Sequence, residues 1–229
     1  MANSCLLYYI TDRTAFAADE PTRRRRLLEK ITEAARTGVD YIQLREKDLA
    51  TRELETLAQE AVRAIREASK LDPSRAPLTP ALLINSRIDI AIAAGADGVH
   101  LRSDDITPKE ARETWAKCGA RAPARVSPRD PQIGVSCHSP AEVTRAATDG
   151  ATFAVFAPVF EKKNVPSAKL ASLAQLAEAS KASIPVLALG GVTLDNAKSC
   201  LEAGAAGIAA IRLFQENNIA EIAAKLRSL

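Results

Sequence analysis

Three polar side chains at alternate positions near the second apolar run could bind an anion. Gln43, Arg45 and Lys47 follow one another at a spacing of two, and the two-residue period of a strand turns all three to one side. Leu44 and Glu46 take the other side. Two cations facing inward are costly unless an anion meets them, because unpaired buried charge is expensive. The pattern indicates a phosphate or pyrophosphate site, although a solvated Arg-Glu-Lys cluster at a strand end would have the same spacing.

A pair of glycines late in the chain indicates a second anion site. Gly190 and Gly191 end an apolar run and open a helical stretch. Their backbone N–H groups are unhindered, and the N-terminal end of a helix attracts anions through its dipole. A tight turn would need the same residues, so the phosphate interpretation depends on the register of the surrounding fold.

Carboxylates and histidines add two further kinds of chemistry. Asp104 and Asp105 could hold a magnesium ion, because hard cations take carboxylate oxygens and share their remaining ligands with substrate phosphates. The same pair precedes Thr107 and could equally serve the start of a helix. His138 could move a proton near neutral pH, although a lone histidine before a helix cap is often structural. His100 is interpreted as an inner residue with satisfied hydrogen bonds.

A recurring phrase predicts the scaffold that positions these residues. Glycine followed by a short apolar run occurs at Gly38, Gly95, Gly150 and Gly204, each time after an alanine-rich stretch. Each glycine is expected to stop a helix and lead into a strand. The intervals of 57, 55 and 54 residues leave room for two strand-helix units each, which suits eight such units in a closed barrel. We predict an α/β fold, a single-domain TIM (β/α)8 barrel over residues 1–229.

Eight short runs are predicted to be strands, because they are apolar on both faces as parallel strands covered by helices should be. They are Cys5–Ile10, Tyr41–Leu44, Ala81–Ile84, Gly98–Leu101, Ile133–Ser136, Phe153–Phe156, Val186–Leu189 and Gly207–Ile211. Helix starts with capping boxes are predicted at Thr107-Pro108-Lys109-Glu110 and Ser139-Pro140-Ala141-Glu142. The chemistry of such a barrel belongs to the loops that follow the strands. That rule adds Asn85, Ser136, Ala210 and Ile211 to the candidates above.

Composition and charge argue against several other classes of protein. The net charge is only +3, and aromatic residues make up 4% of the chain, too few to stack nucleic-acid bases, so no nucleic-acid partner is expected. The four cysteines form no CxxC pair, which gives neither a zinc site nor a disulfide framework. The apolar run at the N-terminus is too short for a signal peptide or a membrane span. We therefore expect a cytoplasmic protein without a membrane partner.

Several short motifs, taken in order, resemble those of the thiamine phosphate synthase and TenI family. They are Tyr9-Ile10-Thr11-Asp12, Gln43-Leu44-Arg45-Glu46-Lys47, Gly98-Val99-His100-Leu101 with Asp104-Asp105, Gly134-Val135-Ser136-Cys137-His138, Pro158-Val159-Phe160 and Leu189-Gly190-Gly191-Val192. Each motif is a modest signal, but the ordered set is specific and covers essentially the whole chain. The resemblance implies a TIM barrel of thiamin biosynthesis that joins hydroxymethylpyrimidine pyrophosphate to thiazole phosphate and releases pyrophosphate.

The resemblance also implies roles for individual residues. The catalytic residues would be His138, Ser136, Arg45 and Lys47. Gln43, Arg45 and Lys47 would hold the pyrophosphate, with Ser136 on the pyrimidine side and Asn85 also binding substrate. The thiazole phosphate would lie at Gly190, Gly191, Ala210 and Ile211, and a magnesium ion at Asp105 and Asp104. The implied partners are small phosphorylated thiazole and pyrimidine substrates, and homo-oligomer formation is left open.

The chain departs from the synthase pattern in three places. Ser86 follows Asn85 where synthases have an aspartate, which removes one expected magnesium carboxylate. Arg102-Ser103 replaces a Gly-Gln pair before the two aspartates. After the sixth strand Val165 stands in a remodelled phosphate loop, where Lys162 or Lys163 would have to replace a missing lysine.

These departures keep two other functions open. TenI-type proteins share several of the losses, and some of them isomerise a thiazole carboxylate phosphate by a proton shuttle that needs no metal. His138 matches their catalytic histidine, but synthases often have a histidine there too. A TenI-type tautomerase and a non-catalytic, phosphate-binding regulatory barrel are therefore the alternatives.

Overall fold

The protein is a closed barrel of parallel strands. The structure, a computed structural model, describes residues 5–70, 79–119, 130–160 and 172–229. Within these ranges eight strands pair in parallel in chain order, and β8 returns to β1. The strands are β1 (Leu6–Ile10), β2 (Tyr41–Leu44), β3 (Ala81–Asn85), β4 (Gly98–Leu101), β5 (Gln132–Cys137), β6 (Phe153–Phe156), β7 (Val186–Ala188) and β8 (Gly207–Ala210). The predicted TIM barrel is confirmed.

Helices follow the strands and cover the barrel from outside. They are α1 (Glu20–Thr37), α2 (Thr51–Lys70), α3 (Ile88–Ala94), α4 (Pro108–Gly119), α5 (Pro140–Thr148), α6 (Leu173–Ala179), α7 (Leu194–Glu202), α8 (Arg212–Gln215) and α9 (Ile219–Arg227). A 3-10 turn at Arg13–Ala15 precedes α1. None of the helices in the described ranges is both long and apolar enough to cross a membrane.

The strand ends differ from the prediction by one or two residues. The eighth strand stops at Ala210 because Ile211 leaves the extended conformation, with φ −95° and ψ −77°, to begin α8. The fifth strand is longer than predicted, since Gln132 and Cys137 both join the ladder.

Local signals in the sequence explain most helix ends. Gly38 and Gly95 cap α1 and α3 in the left-handed conformation, with φ of 80° and 68°, which glycine adopts without a steric penalty. The capping box before α4 forms as predicted, because the Glu110 carboxylate accepts from the Thr107 N–H and the Thr107 hydroxyl accepts from the Glu110 N–H. The second predicted box is half formed. Ser139 caps α5, but the Glu142 carboxylate reaches one residue further back and accepts from the His138 N–H at 2.6 Å.

An aromatic cluster fills the barrel interior. The ring of Tyr8 meets that of Phe153 edge to face at 5.3 Å between centroids, and Tyr41 lies 4.6 Å from the same Phe153 ring. Gly134 makes this packing possible, because a Cβ there would lie 2.6 Å from the Phe153 ring and 2.8 Å from His100 Nδ1. Below the mouth the barrel is therefore a packed core, and ligands must bind at its rim.

Candidate active site

The predicted site residues meet at one end of the barrel. All eight described strands run parallel, so their carboxyl ends form a single mouth, the end at which TIM barrels carry their chemistry. Gln43 lies near the end of β2, Asn85 ends β3, Ser136 lies near the end of β5, and Gly190 follows β7. The two predicted anion-binding groups therefore open to the same side of the molecule.

The side chains of Arg45 and Lys47 have no anionic partner among the residues that the structure describes. Arg45 is half-buried and Lys47 is exposed, and neither side chain makes a hydrogen bond or ion pair with another residue in the described ranges. Their charges lie close enough to interact, since Arg45 is the largest cause of a lowered pKa at Lys47, ahead of burial and of Arg102. Two mutually repelling cations without a carboxylate partner are what an anion site requires.

Gln43 brings an unused donor to the same face. Its side chain is buried, with 1% of the residue exposed, and its Nε2 has no hydrogen-bond partner among the residues described. Gln43 lies near the Tyr8 hydroxyl and opposes the rise in the pKa of that phenol, but the two do not have the geometry of a hydrogen bond. A buried N–H group is costly to leave unpaired, so a ligand acceptor would satisfy it.

The opposite side of the same stretch carries a structural ion network. The strand period predicts only that Glu46 lies on the other side from Arg45; Glu46 is buried, and its Oε2 lies 3.2 Å from Nη1 of the buried Arg13. Arg13 also pairs with Asp48 at 2.6 Å and with Glu20 at 2.7 Å. Hydrogen bonds to Asp48 are the largest cause of the raised pKa of Arg13. Arg13, unlike Arg45, is therefore fully neutralised by the protein.

This network also fixes the backbone of the anion-binding stretch. The Thr11 hydroxyl donates to Glu46 Oε1 at 2.6 Å and accepts from the Arg45 N–H at 3.0 Å. Burial raises the pKa of Glu46, while the hydrogen bonds from Thr11 and Arg13 oppose that rise. Sequence reasoning did not connect these residues, because their partners lie up to 35 positions apart. Their only signal was a position in the loops after β1 and β2.

A hydrogen-bonded chain leads from the interior to Ser136. His100 Nδ1 lies 3.1 Å from the Tyr8 hydroxyl, and His100 Nε2 lies 2.9 Å from Ser136 Oγ. Burial, followed by the charge of Arg45, lowers the pKa of His100 to about 3, so its imidazole is neutral. Burial also raises the pKa of Tyr8 well above its usual value. The prediction that His100 is a satisfied inner residue is confirmed, and its link to Ser136 is new.

His138 presents a basic nitrogen at the rim. Its side chain is exposed, and its Nδ1 lies 2.7 Å from the carbonyl oxygen of Ala157. A carbonyl only accepts, so Nδ1 carries a proton, and in the neutral tautomer of this ring the lone pair is on Nε2. No hydrogen bond to Nε2 comes from the part of the chain that the structure describes. The catalytic role of His138 stays a prediction.

The glycine pair after β7 is tightly constrained. Gly190 and Gly191 have φ of 97° and 65°, and a Cβ on Gly190 would lie 2.8 Å from the Cα of Pro158. Asn196 holds the turn by donating to the carbonyl of Gly191 at 3.0 Å.

The adjacent strand β8 runs into the short helix α8, and a short extra helix beside the loops after β7 and β8 is typical of the phosphate site in TIM barrels. Ala210 is buried against the outer core, so its backbone is the part that could meet a ligand at this rim. Ile211 packs against the interior cluster.

The two aspartates predicted to bind magnesium already have donors. Asp105 accepts from the Ser86 hydroxyl at 2.6 Å and from the Arg102 N–H at 2.8 Å. The Arg102 guanidinium reaches Asp105 at 3.4 Å and Asp104 at 3.0 Å. Among the described residues no group of three or more histidine, cysteine, aspartate or glutamate side chains could hold a metal ion. The arrangement does not fit a magnesium site as it stands, and the roles of Asp104 and Asp105 stay a prediction.

The loop after β6 carries predictions that cannot be placed. Lys162, Lys163 and Val165 lie outside the described residues.

Comparison with known proteins identifies the family. Residues 7–214 match the family model described as thiamine monophosphate synthase. The chain is 35% identical over 228 residues to the thiamine-phosphate synthase of Syntrophomonas wolfei, covering 97% of this chain and 95% of the relative. It is 34% identical over 226 residues to that of Methanoculleus marisnigri, covering 96% and 93%. Its fold is similar to the solved thiamine phosphate pyrophosphorylase from Pyrococcus furiosus, with a TM-score of 0.73, 28% identity, and coverage of 99% of this chain and 95% of the other. The chain therefore belongs to the thiamine monophosphate synthase family.

Proposed function

We propose that this protein is a thiamine-phosphate synthase, which joins hydroxymethylpyrimidine pyrophosphate to thiazole phosphate and releases pyrophosphate. The observation that carries the proposal is the pair of cations on one face, Arg45 and Lys47, which have no protein anion in the described chain. The relatives at 34 to 35% identity bear the name of this activity. A half-buried arginine and an exposed lysine side by side at the mouth of a barrel are suited to a multiply charged leaving group.

The reaction needs charge stabilisation more than proton transfer. The bond between the pyrimidine methylene carbon and the pyrophosphate oxygen breaks, and its electron pair leaves with the pyrophosphate. The thiazole nitrogen then donates its lone pair to the pyrimidine cation and forms the new C–N bond. Arg45 and Lys47 would stabilise the negative charge that develops on the leaving group, and the N–H groups at Gly190 and Gly191 would orient the thiazole phosphate.

Ser136 would contact the pyrimidine from the opposite wall of the mouth. The neutral His100 beneath it has one N–H and one bare nitrogen. We assign the bare nitrogen to Nδ1, where the Tyr8 phenol donates, so that Nε2–H donates to Ser136 Oγ. Ser136 then keeps its own proton for a substrate acceptor. Asn85 lies on β3 directly beside His100 and would complete this polar wall.

Metal use stays a prediction for this chain. The resemblance to thiamine phosphate synthases implies a magnesium ion at Asp104 and Asp105. In this structure Arg102 pairs with both aspartates, and Ser86 donates a hydrogen bond to Asp105. No step of the reaction is therefore assigned to a metal. The proposed partners are the phosphorylated pyrimidine and thiazole substrates. A cytoplasmic location is also proposed, since the four cysteines are free thiols, as is usual in reducing compartments.

A turnover assay tests the proposal. Purified protein is incubated with both substrates, with and without magnesium, and thiamine phosphate is measured. We expect product with the wild-type protein and a loss of about a hundredfold or more in Arg45→Ala, since removing a group that stabilises transition-state charge typically costs this much. Arg25→Ala is the matched control, because Arg25 lies exposed on α1 and forms its ion pair with another residue of that helix, Glu29, at 3.9 Å. Equal activity in Arg45→Ala and Arg25→Ala would contradict the assigned role.

A second candidate function rests on His138. Its Nδ1–H is donated to the Ala157 carbonyl, which leaves Nε2 as an exposed base able to move a proton on a thiazole carboxylate phosphate. The same preparation is therefore incubated with that compound, and its aromatic tautomer is measured. Tautomerisation that is lost in His138→Ala, without thiamine phosphate formation, would support the tautomerase. Binding of the phosphates without turnover in either assay would support the non-catalytic regulatory barrel.

A further inference from the structure

The loop after β4 carries a cation between two carboxylates. Arg102 follows Leu101 directly, and its guanidinium reaches Asp104 Oδ2 from Nη2 at 3.0 Å and Asp105 Oδ1 from Nε at 3.4 Å. Its backbone N–H donates to the other oxygen of Asp105 at 2.8 Å. One residue therefore neutralises both aspartates of the loop in part and also shapes its turn.

The loop after β3 supplies a second donor to Oδ2 of Asp105, the oxygen that also accepts from the Arg102 N–H. Ser86 donates its hydroxyl to Asp105 Oδ2 at 2.6 Å and accepts from the Asn85 side-chain amide at 3.2 Å. Ser86 has φ of 59°, a conformation that residues other than glycine rarely adopt. Backbone strain of this kind persists where surrounding contacts hold it, often at functional sites. The Ser86 hydroxyl and the Arg102 N–H occupy Oδ2 of Asp105, and the Arg102 guanidinium lies against Oδ1, so a cation would have to compete with these donors for the carboxylate.

The charge of Arg102 also acts on the anion-binding face that carries Arg45 and Lys47. Its charge contributes to the lowered pKa of Lys47, after Arg45 and burial. The guanidinium is half exposed, and its hydrogen bonds to described residues use Nε and one N–H of Nη2. An arginine side chain has five N–H donors, so donors remain for a phosphate oxygen in the mouth.

We infer that Arg102 is a built-in cation of the pyrophosphate site, supplying from the chain a positive charge that would otherwise have to come from a bound metal ion. The inference rests on the proposed function, because it assumes that Arg45 and Lys47 hold a pyrophosphate. Without Arg102, the carboxylates of Asp104 and Asp105 would repel that anion and would be free to take a cation. With Arg102, pyrophosphate binds without a metal.

Binding of inorganic pyrophosphate tests this inference without turnover. Affinity is measured by calorimetry in buffer containing EDTA, for the wild-type protein, Arg102→Gln and Arg102→Lys. We expect the wild type to bind, Arg102→Gln to bind roughly tenfold or more weakly through the loss of a charge-assisted contact, and Arg102→Lys to fall between them. Arg87→Gln is the matched control, since Arg87 is a neighbouring arginine that pairs with Asp89 at 2.6 Å. It should bind like the wild type.

Metal binding gives an independent readout. Manganese is titrated into the protein alone and followed by electron paramagnetic resonance. The wild type should show no tight site, whereas Ser86→Asp combined with Arg102→Gln should gain one, because aspartate tolerates the left-handed backbone at position 86 and the arginine no longer competes.

The outcomes separate the inference from the proposed function. Equal pyrophosphate affinity of Arg102→Gln and wild type in EDTA, or a tight manganese site in the wild type, would overturn the role of Arg102 and leave the synthase proposal intact. Failure of the wild type to bind pyrophosphate with or without a metal would overturn both.

Discussion

The imidazole of His100 is hydrogen-bonded to the hydroxyl of Ser136, with Nε2 and Oγ 2.9 Å apart. The two residues lie on neighbouring strands, β4 and β5, and both face the inside of the barrel. Because the Tyr8 hydroxyl holds the other ring nitrogen, the imidazole cannot turn without breaking two buried hydrogen bonds. Ser136 is therefore oriented by two residues of the barrel core.

Removing the Tyr8 hydroxyl should destabilise the protein. Tyr8→Phe leaves the buried Nδ1 of His100 without its partner, which typically costs about 1–3 kcal/mol, measured as the free energy of unfolding in urea. Tyr41→Phe is a close control, since the Tyr41 ring packs on the same Phe153 and its hydroxyl makes no hydrogen bond with the described residues. A loss in Tyr41→Phe as large as in Tyr8→Phe would show that removing a phenol oxygen from this cluster, and not losing the hydrogen bond to His100, is responsible.

His100 should make stability depend on pH in mild acid. An unfolded histidine takes a proton below about pH 6.5, but burial lowers the pKa of His100 in the folded protein to about 3. Between these values the unfolded state binds the additional proton, so acidification favours unfolding with a slope of about 1.4 kcal/mol per pH unit. Urea unfolding of wild type and His100→Asn is compared from about pH 6.5 down to about pH 5, where most carboxylates stay ionised. The variant should show a flatter profile, and parallel profiles would contradict the assignment.

Neutralising Arg13 should lower the free energy of unfolding more than neutralising Glu46 does. Arg13→Gln leaves Glu46, Glu20 and Asp48 without their shared cation, and breaking a buried ion pair from one side typically costs about 3–5 kcal/mol. Glu46→Gln leaves Arg13 with two other carboxylates and should cost less. Urea unfolding of both variants and of the double variant measures the coupling between the two residues. Additive losses would mean that the contact at 3.2 Å contributes no coupling energy.

A side chain at Gly190, in the turn after β7, should destabilise the protein. Gly190→Ala combines a φ of +97° with a Cβ placed 2.8 Å from the Pro158 Cα, so we expect the free energy of unfolding to fall by about 2 kcal/mol or more. Gly150→Ala has a similar φ of +84° but lies 3.9 Å from its nearest neighbour, Arg112 Nε. It should cost only about 1 kcal/mol for the backbone. Similar losses in the two variants would show that the close approach of Gly190 to Pro158, between the loops after β7 and β6, is not rigid.

The repeated patterns of the sequence predicted the barrel, because each strand and each glycine stop depends on residues close together in the chain. The alternation of Gln43 and Arg45 with Leu44 and Glu46 likewise follows from the two-residue strand period. The partners of Glu46 could not be predicted, since Arg13 reaches it only once the first two strands pair. The same limit applies to Asp105, whose bond to Ser86 joins two loops that the sequence separates by 19 residues.

A crystal structure of the protein with pyrophosphate and thiazole phosphate tests the central claim most directly. The account predicts pyrophosphate within hydrogen-bonding distance of the Arg45 guanidinium and the Lys47 ammonium, with thiazole phosphate on the N–H groups of Gly190 and Gly191 in the same mouth. Pyrophosphate bound elsewhere, with the Arg45 guanidinium turned into solvent, would contradict it.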